Sequence, residues 1–114
     1  MPARMMVFAT IKPGEEKAFE EAFKEVTSKV KGTPGHISDE LLRDVSEDLE
    51  NKSPDEPSRY ILLSEWESTE AFLAWEHAPI HMQTTTPMRP YWAGRVERRM
   101  YEVAVRFYSD RPGD

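Results

Sequence analysis

Cysteine is absent from all 114 residues, which excludes disulfides, thiolate nucleophiles and cysteine-held metals. That absence fits a cytoplasmic chain. No apolar run approaches the ~20 residues of a membrane helix. The apolar N-terminal MMVFATI is followed by KPGEE, where a signal peptide would have a small-residue cleavage site, so it reads as a strand. Positive charge is in deficit, with 15 Lys and Arg against 21 Asp and Glu and a net charge of −6. Residues 39–57 carry eight acidic residues against Arg43 and Lys52, and this one segment equals the whole excess. Such a balance disfavours nucleic acid as a partner. The arginines late in the chain, from Arg89 to Arg106, read as solvated strand edges.

What remains is the composition of a soluble globular chain, 39% hydrophobic and 32% charged. The length predicts one domain over residues 1–114, small enough that a second copy would help it bury surface. Arg4 to Ile11 is β-prone and ends at Pro13-Gly14. Phe19, Ala22, Phe23, Val26 and Val30 then recur at three-to-four spacing and predict a helix over Glu15 to Lys31. Acidic residues stand at its start, lysines at its end and Gly32 beyond it, all favourable to a helix and its left-handed cap.

GTPGH turns the chain into a second strand, Ile37 to Val45, and an acidic loop follows over 46–58. RYILLSEWE (Arg59 to Glu67) is a third strand, and Ser68 is a natural N-cap for a helix through Phe72 and Trp75. HAP interrupts that helix, a short piece restarts at Pro79, and Pro87 and Pro90 forbid a long continuation. A last strand from Arg95 to Tyr108 alternates Tyr101, Val103, Val105 and Phe107 on one face, and 109–114 reads as a flexible tail. The order β-α-β-β-α-β is the α+β, ferredoxin-like arrangement. Helices on one face of the sheet leave the other uncovered, so a two-fold homodimer closing a dimeric α/β barrel is expected.

RYILLSEWESTEAFLAWEHAP resembles the signature of antibiotic biosynthesis monooxygenase (ABM) domains: a strand ending Trp-Glu-Ser, a helix with Glu-Ala-Phe, and an aromatic nine residues after the first Trp. Trp66, Glu67, Ser68, Glu70, Ala71, Phe72, Trp75 and Pro79 occupy those positions. TPGHISDELLRDV is similar to the family's second turn and strand, with His36 where the family usually has Phe. The resemblance implies a homodimer with a pocket between sheet and helices, and an oxidoreductase of one of two kinds. One kind is a cofactor-independent monooxygenase acting on a small aromatic, phenolic or quinone-like molecule. The other is a heme-binding, heme-degrading monooxygenase. A third possibility is a non-catalytic dimeric domain that binds a hydrophobic ligand.

Trp66, Tyr60, Phe72, Trp75, Tyr91 and Trp92 are candidate flat walls for an aromatic substrate. His81 is the candidate base, with His77 and His36 as alternatives and Arg89 or Arg95 to stabilise the anion. Catalysis is therefore assigned to His81 and Trp66, and substrate binding to Trp75, Phe8, Tyr60, Phe72, Trp92 and Arg89. The heme branch's own residues do not carry over: its first-strand Asn is replaced here by Phe8 or Val7, and its axial His falls near Thr84 or Thr85 unless His81 takes that place. The polyketide branch's Asn, four residues before the strand Trp, is Leu62. No cofactor is the expectation, with heme as the alternative. His77 and His81 have the spacing of two metal ligands, but Pro79 breaks the helix between them and no third ligand is near, so no metal site is expected. His36 either reaches the pocket or is the solvated start of a strand, and the latter is the expectation.

Overall fold

The computed structural model describes residues 1–46 and 57–109. A four-stranded antiparallel sheet carries all the helices on one face, in the strand order β2-β3-β1-β4. Strand β1 spans Ala3–Ile11, α1 Glu16–Val30, β2 His36–Arg43 and β3 Ser58–Trp66. Helix α2 follows over Thr69–Glu76, α3 over Ile80–Thr85, a 3-10 turn over Thr86–Tyr91, and β4 over Glu97–Glu102. This is the expected ferredoxin-like order, and each of the first three strands lies within two residues of its expected bounds. The acidic loop expected at 46–58 lies, over 47–56, outside the described residues, as does 110–114 of the tail.

Helix α1 buries Phe19, Ala22, Val26 and Val30, the stripe its spacing predicts, against the sheet. Phe19 is wholly buried, and truncating such a ring to Ala costs about 3–5 kcal/mol. At α2 the Ser68 hydroxyl accepts from the Ala71 N–H at 3.1 Å, the N-cap that Ser-x-x-Ala allows. The prolines then act as read: α3 begins after Pro79, and the 3-10 turn holds Pro87 and Pro90. Its end is stapled to β1, with the Ala93 N–H donating to the Thr10 carbonyl at 2.7 Å and the Lys12 N–H to the Tyr91 carbonyl at 3.1 Å.

The last strand is much shorter than the expected Arg95 to Tyr108. Its ladder with β1 ends at the pair Ala3–Glu102, after which the Val103 N–H donates to the Pro2 carbonyl. Beyond that point no neighbouring strand exists among the described residues, and Val105, Phe107 and Tyr108 are left 86%, 92% and 74% exposed. Alternation alone predicts a strand; pairing decides where it stops.

Candidate active site

Between the helices and the inner face of the sheet lies a cavity of about 480 Å³. Met5 and Val7 of β1 and Leu62, Ser64 and Trp66 of β3 form its floor, because alternate residues of a strand share one face. Helix α1 contributes Phe23, Val26 and Val30, α2 Phe72 and Trp75, α3 His81, and the 3-10 turn and its end Met88, Arg89 and Trp92. A mostly apolar cleft with a few convergent polar groups is the usual form of a small-molecule site.

The expected site residues divide accordingly. Trp66, Phe72, Trp75, His81, Arg89 and Trp92 come together on this one cavity. Phe8 does not: it is one residue out of phase with Val7, points to the opposite face, and lines an outer groove of about 590 Å³. Tyr60 also lies away from the cavity. Its ring packs edge-on to Phe19 at 5.2 Å, and its hydroxyl donates to Glu20 Oε2 at 2.6 Å; burial first, and then this hydrogen bond, raise its pKa. It belongs to the core beneath α1. His77 is exposed on the turn after α2, and Arg95 lines the outer groove.

His81 stands edge-on to Trp75, ring centroids 5.1 Å apart. Burial, and secondarily the nearby Arg89 charge, hold its pKa below the ordinary histidine range. Its imidazole is therefore neutral at neutral pH and able to accept a proton. The Arg89 guanidinium lies over the Trp92 ring, 5.6 Å from its centroid, and donates to Thr85 Oγ1 at 3.3 Å. Among the described residues the buried Trp92 Nε1–H has no hydrogen-bond partner. The Trp66 indole N–H, by contrast, is engaged with Ser64 Oγ at 3.0 Å, which makes Trp66 a wall and not a donor.

One polar pair escapes the sequence reading. Asp39 lines the cavity from β2, and its Oδ2 lies 2.9 Å from His36 Nε2. The His36 side chain is only 7% exposed and its ring sits edge-on to Trp66 at 5.0 Å, so it is not the solvated strand start expected of it. Residues three apart on a regular strand face opposite ways. A bulge between His36 and Ser38 slips the register and brings His36 and Asp39 to the same side. Gly35 sets the approach: its φ is +82° and its carbonyl accepts from the Glu67 N–H at 2.7 Å. Burial raises the Asp39 pKa against the opposing effect of His36. The readable signal was His36 itself, a polar ring where the resembled family has Phe. Elsewhere on the wall, Glu76 is ion-paired with Arg98. Among the described residues no group of three or more potential ligands could hold a metal ion, and no helix is long and apolar enough to cross a membrane.

The family model for antibiotic biosynthesis monooxygenase matches residues 2–86. The chain belongs to the antibiotic biosynthesis monooxygenase family. It is 32% identical over 110 residues to Protein SchA of Streptomyces halstedii, covering 96% of this chain and 26% of that protein. It is 33% identical over 85 residues to the 42.8 kDa protein in the whiE locus of Streptomyces coelicolor, covering 75% of this chain and 19% of that one. The chain thus spans about a quarter of the first relative and about a fifth of the second. Among solved structures it resembles a variant of SnoaB, a cofactor-independent oxygenase from Streptomyces nogalater, with a TM-score of 0.70, 16% identity, and 95% and 98% of the two chains covered. A conserved protein from Methanosarcina mazei superposes with a TM-score of 0.67 at 13% identity over 89% and 91% of the two chains. At these identities the structural likenesses speak for the fold.

Proposed function

We propose that the cavity is the active site of a cofactor-independent monooxygenase acting on a small phenolic or quinone-like aromatic. The observation that carries this reading is His81, kept neutral on the wall of an aromatic-lined cavity with Arg89 beside it. A planar substrate lies against Trp75, Phe72 and Trp66. His81 takes its acidic proton, and Arg89 stabilises the anion. The substrate anion then supplies both electrons to dioxygen, forming a carbon–oxygen bond and a peroxide. Loss of water from the protonated peroxide leaves one oxygen atom in the product as a carbonyl. The protein's part is to orient the ring, favour the anion and exclude water. The likeness to SnoaB, described as cofactor-independent, supports the absence of a cofactor. Oxygen consumption with a panel of phenols and quinols tests the reading: turnover lost in His81→Ala supports it, and no uptake with any of them overturns it.

Heme capture is the second reading, favoured by His81 and Trp75 standing side by side on the cavity wall. His81 would be the iron's ligand and Trp75 a flat contact for the macrocycle; a bound heme would supply oxygen activation. A hemin titration read as a Soret shift that His81→Ala abolishes would establish it.

The active unit in either reading is a homodimer. The outer sheet face, opposite the cavity, exposes Ile37 at 49%, Leu42 at 40% and Tyr101 at 48%, and a second copy packed sheet to sheet covers them.

A further inference from the structure

We propose that Asp39, positioned by His36, is a specificity-determining group that selects an aromatic substrate bearing a free hydroxyl on the edge facing β2. This is a second oxygen function, distinct from the one that His81 and Arg89 handle. The inference rests on the reading of the cavity as an oxygenase site and names its substrate class more narrowly.

Two observations carry it. Asp39 lines the cavity with a side chain only 14% exposed, and its companion His36 is more deeply buried still. The two meet at 2.9 Å, and His36 opposes the burial that raises the Asp39 pKa. A carboxylate has about four lone-pair sites and the His36 contact occupies one, so Asp39 keeps accepting capacity on the wall of the cavity. Buried polar groups in folded proteins are ordinarily paired, so the spare accepting capacity of this largely buried carboxylate points to a ligand atom. The other carboxylate on the wall differs, since Glu76 is ion-paired with Arg98.

The chemistry of the partner follows from the carboxylate. When ionised it only accepts, so its complement is an O–H, phenolic or enolic. An ether oxygen in the same place offers no donor and leaves the carboxylate desolvated and unpaired, and an anionic group is repelled. Sites built in this way reject analogues lacking the hydroxyl far more strongly than apolar pockets reject a missing methylene. The charged and titratable groups around Asp39 are His36 on its own strand, Glu76 of α2, Arg98 of β4, and His81 of α3 and Arg89 of the 3-10 turn across the cavity. His36 acts as a positioning residue: braced edge-on against Trp66, it fixes where the carboxylate points.

The test is titration of the purified protein with a dihydroxynaphthalene and with its monomethyl ether, followed by quenching of the cavity-wall tryptophans. Circular dichroism confirms that each variant is folded. The wild type is expected to bind the diol at least about tenfold more tightly than the ether. Asp39→Asn, whose amide can donate to an ether, is expected to bring that ratio close to one. His36→Phe keeps an aromatic ring against Trp66 and is expected to lower the ratio while leaving affinity for the ether unchanged, which a merely structural role would not do. Equal binding of the two by the wild type would overturn this inference and leave the aromatic site standing. A ratio unchanged in both variants would overturn it as well. A saturable response to neither compound would overturn the reading of the cavity and this inference together.

Discussion

Replacing Gly35 with alanine should be among the most damaging small changes in this chain, and the structure divides its cost into two parts. The first is conformational: φ is +82°, where an L-residue with a Cβ costs about 1–2 kcal/mol. The second is steric. A Cβ at Gly35 would stand 2.5 Å from Ala71 Cβ, an atom fixed to the backbone of α2 with no rotamer to escape through. Overpacking of this kind costs about 1–3 kcal/mol more. Gly32 provides the control, because its φ is +90° but nothing lies within 4 Å of the Cβ it would gain. Gly32→Ala should therefore cost only the conformational part, about 1–2 kcal/mol, and Gly35→Ala about 2–5 kcal/mol. In a domain of this size each kcal/mol moves Tm by about 4–8 °C. The assay is urea unfolding of both variants at one protein concentration, so that any subunit association is common to the comparison. Equal losses in the two would refute the claim that close packing of the β2 turn on α2 holds the Asp39 side of the cavity in place.

Tyr60→Phe should cost about 1–2 kcal/mol in urea unfolding, through loss of the 2.6 Å hydrogen bond to Glu20, and leave aromatic binding unchanged because Tyr60 is off the cavity. The His81 ring should titrate below the ordinary histidine range by NMR, and Arg89→Met should raise that value only in part, since burial is the larger cause. The sign for stability follows: the unfolded chain binds this proton more readily, so stability falls as pH drops from the ordinary histidine value through the depressed one. Asp39→Asn should be at least as stable as the wild type at pH 7. The native carboxyl is raised, so its favourable contribution is present in acid and lost as pH rises through the folded value. Tyr101→Glu combined with Leu42→Lys should convert a dimer to a monomer in light scattering; dimerisation undisturbed by both charges would exclude the outer sheet face as the interface.

The fold was legible because its signals are local and redundant. The stripe on α1, the Ser68 cap and the prolines at 79, 87 and 90 each specify their element from nearby residues alone. The β4 end was not legible in this way: Val103 to Tyr108 alternates like a strand, but a strand needs a neighbour, and the register of β1 decides whether one exists. Phe8 failed for a related reason. Aligning it with a ligand position in the resembled family takes no account of phase, and a shift of one residue along a strand exchanges cavity for outer face.

The candidate site was legible on its aromatic side and not on its acidic one, and the difference has a physical origin. Trp66, Phe72 and Trp75 lie on a strand and a capped helix of regular period, so their convergence follows from spacing. Asp39 faces the same cavity opposite Ser64, but only a bulge before Ser38 brings His36 to its side, and only Gly35 lets the turn press against α2. Neither feature is a property of Asp39 or of its neighbours' hydropathy. The residue sits within the acidic run that supplies the whole net charge, where an isolated reading makes it one more solvated carboxylate. What separates it from that run is the cost of its position. A carboxylate withdrawn from water, its pKa raised by burial that an imidazole at 2.9 Å only partly opposes, costs the fold stability at neutral pH. A group that the fold tolerates at such a cost, on the wall of a cavity, is most simply explained by what the cavity binds.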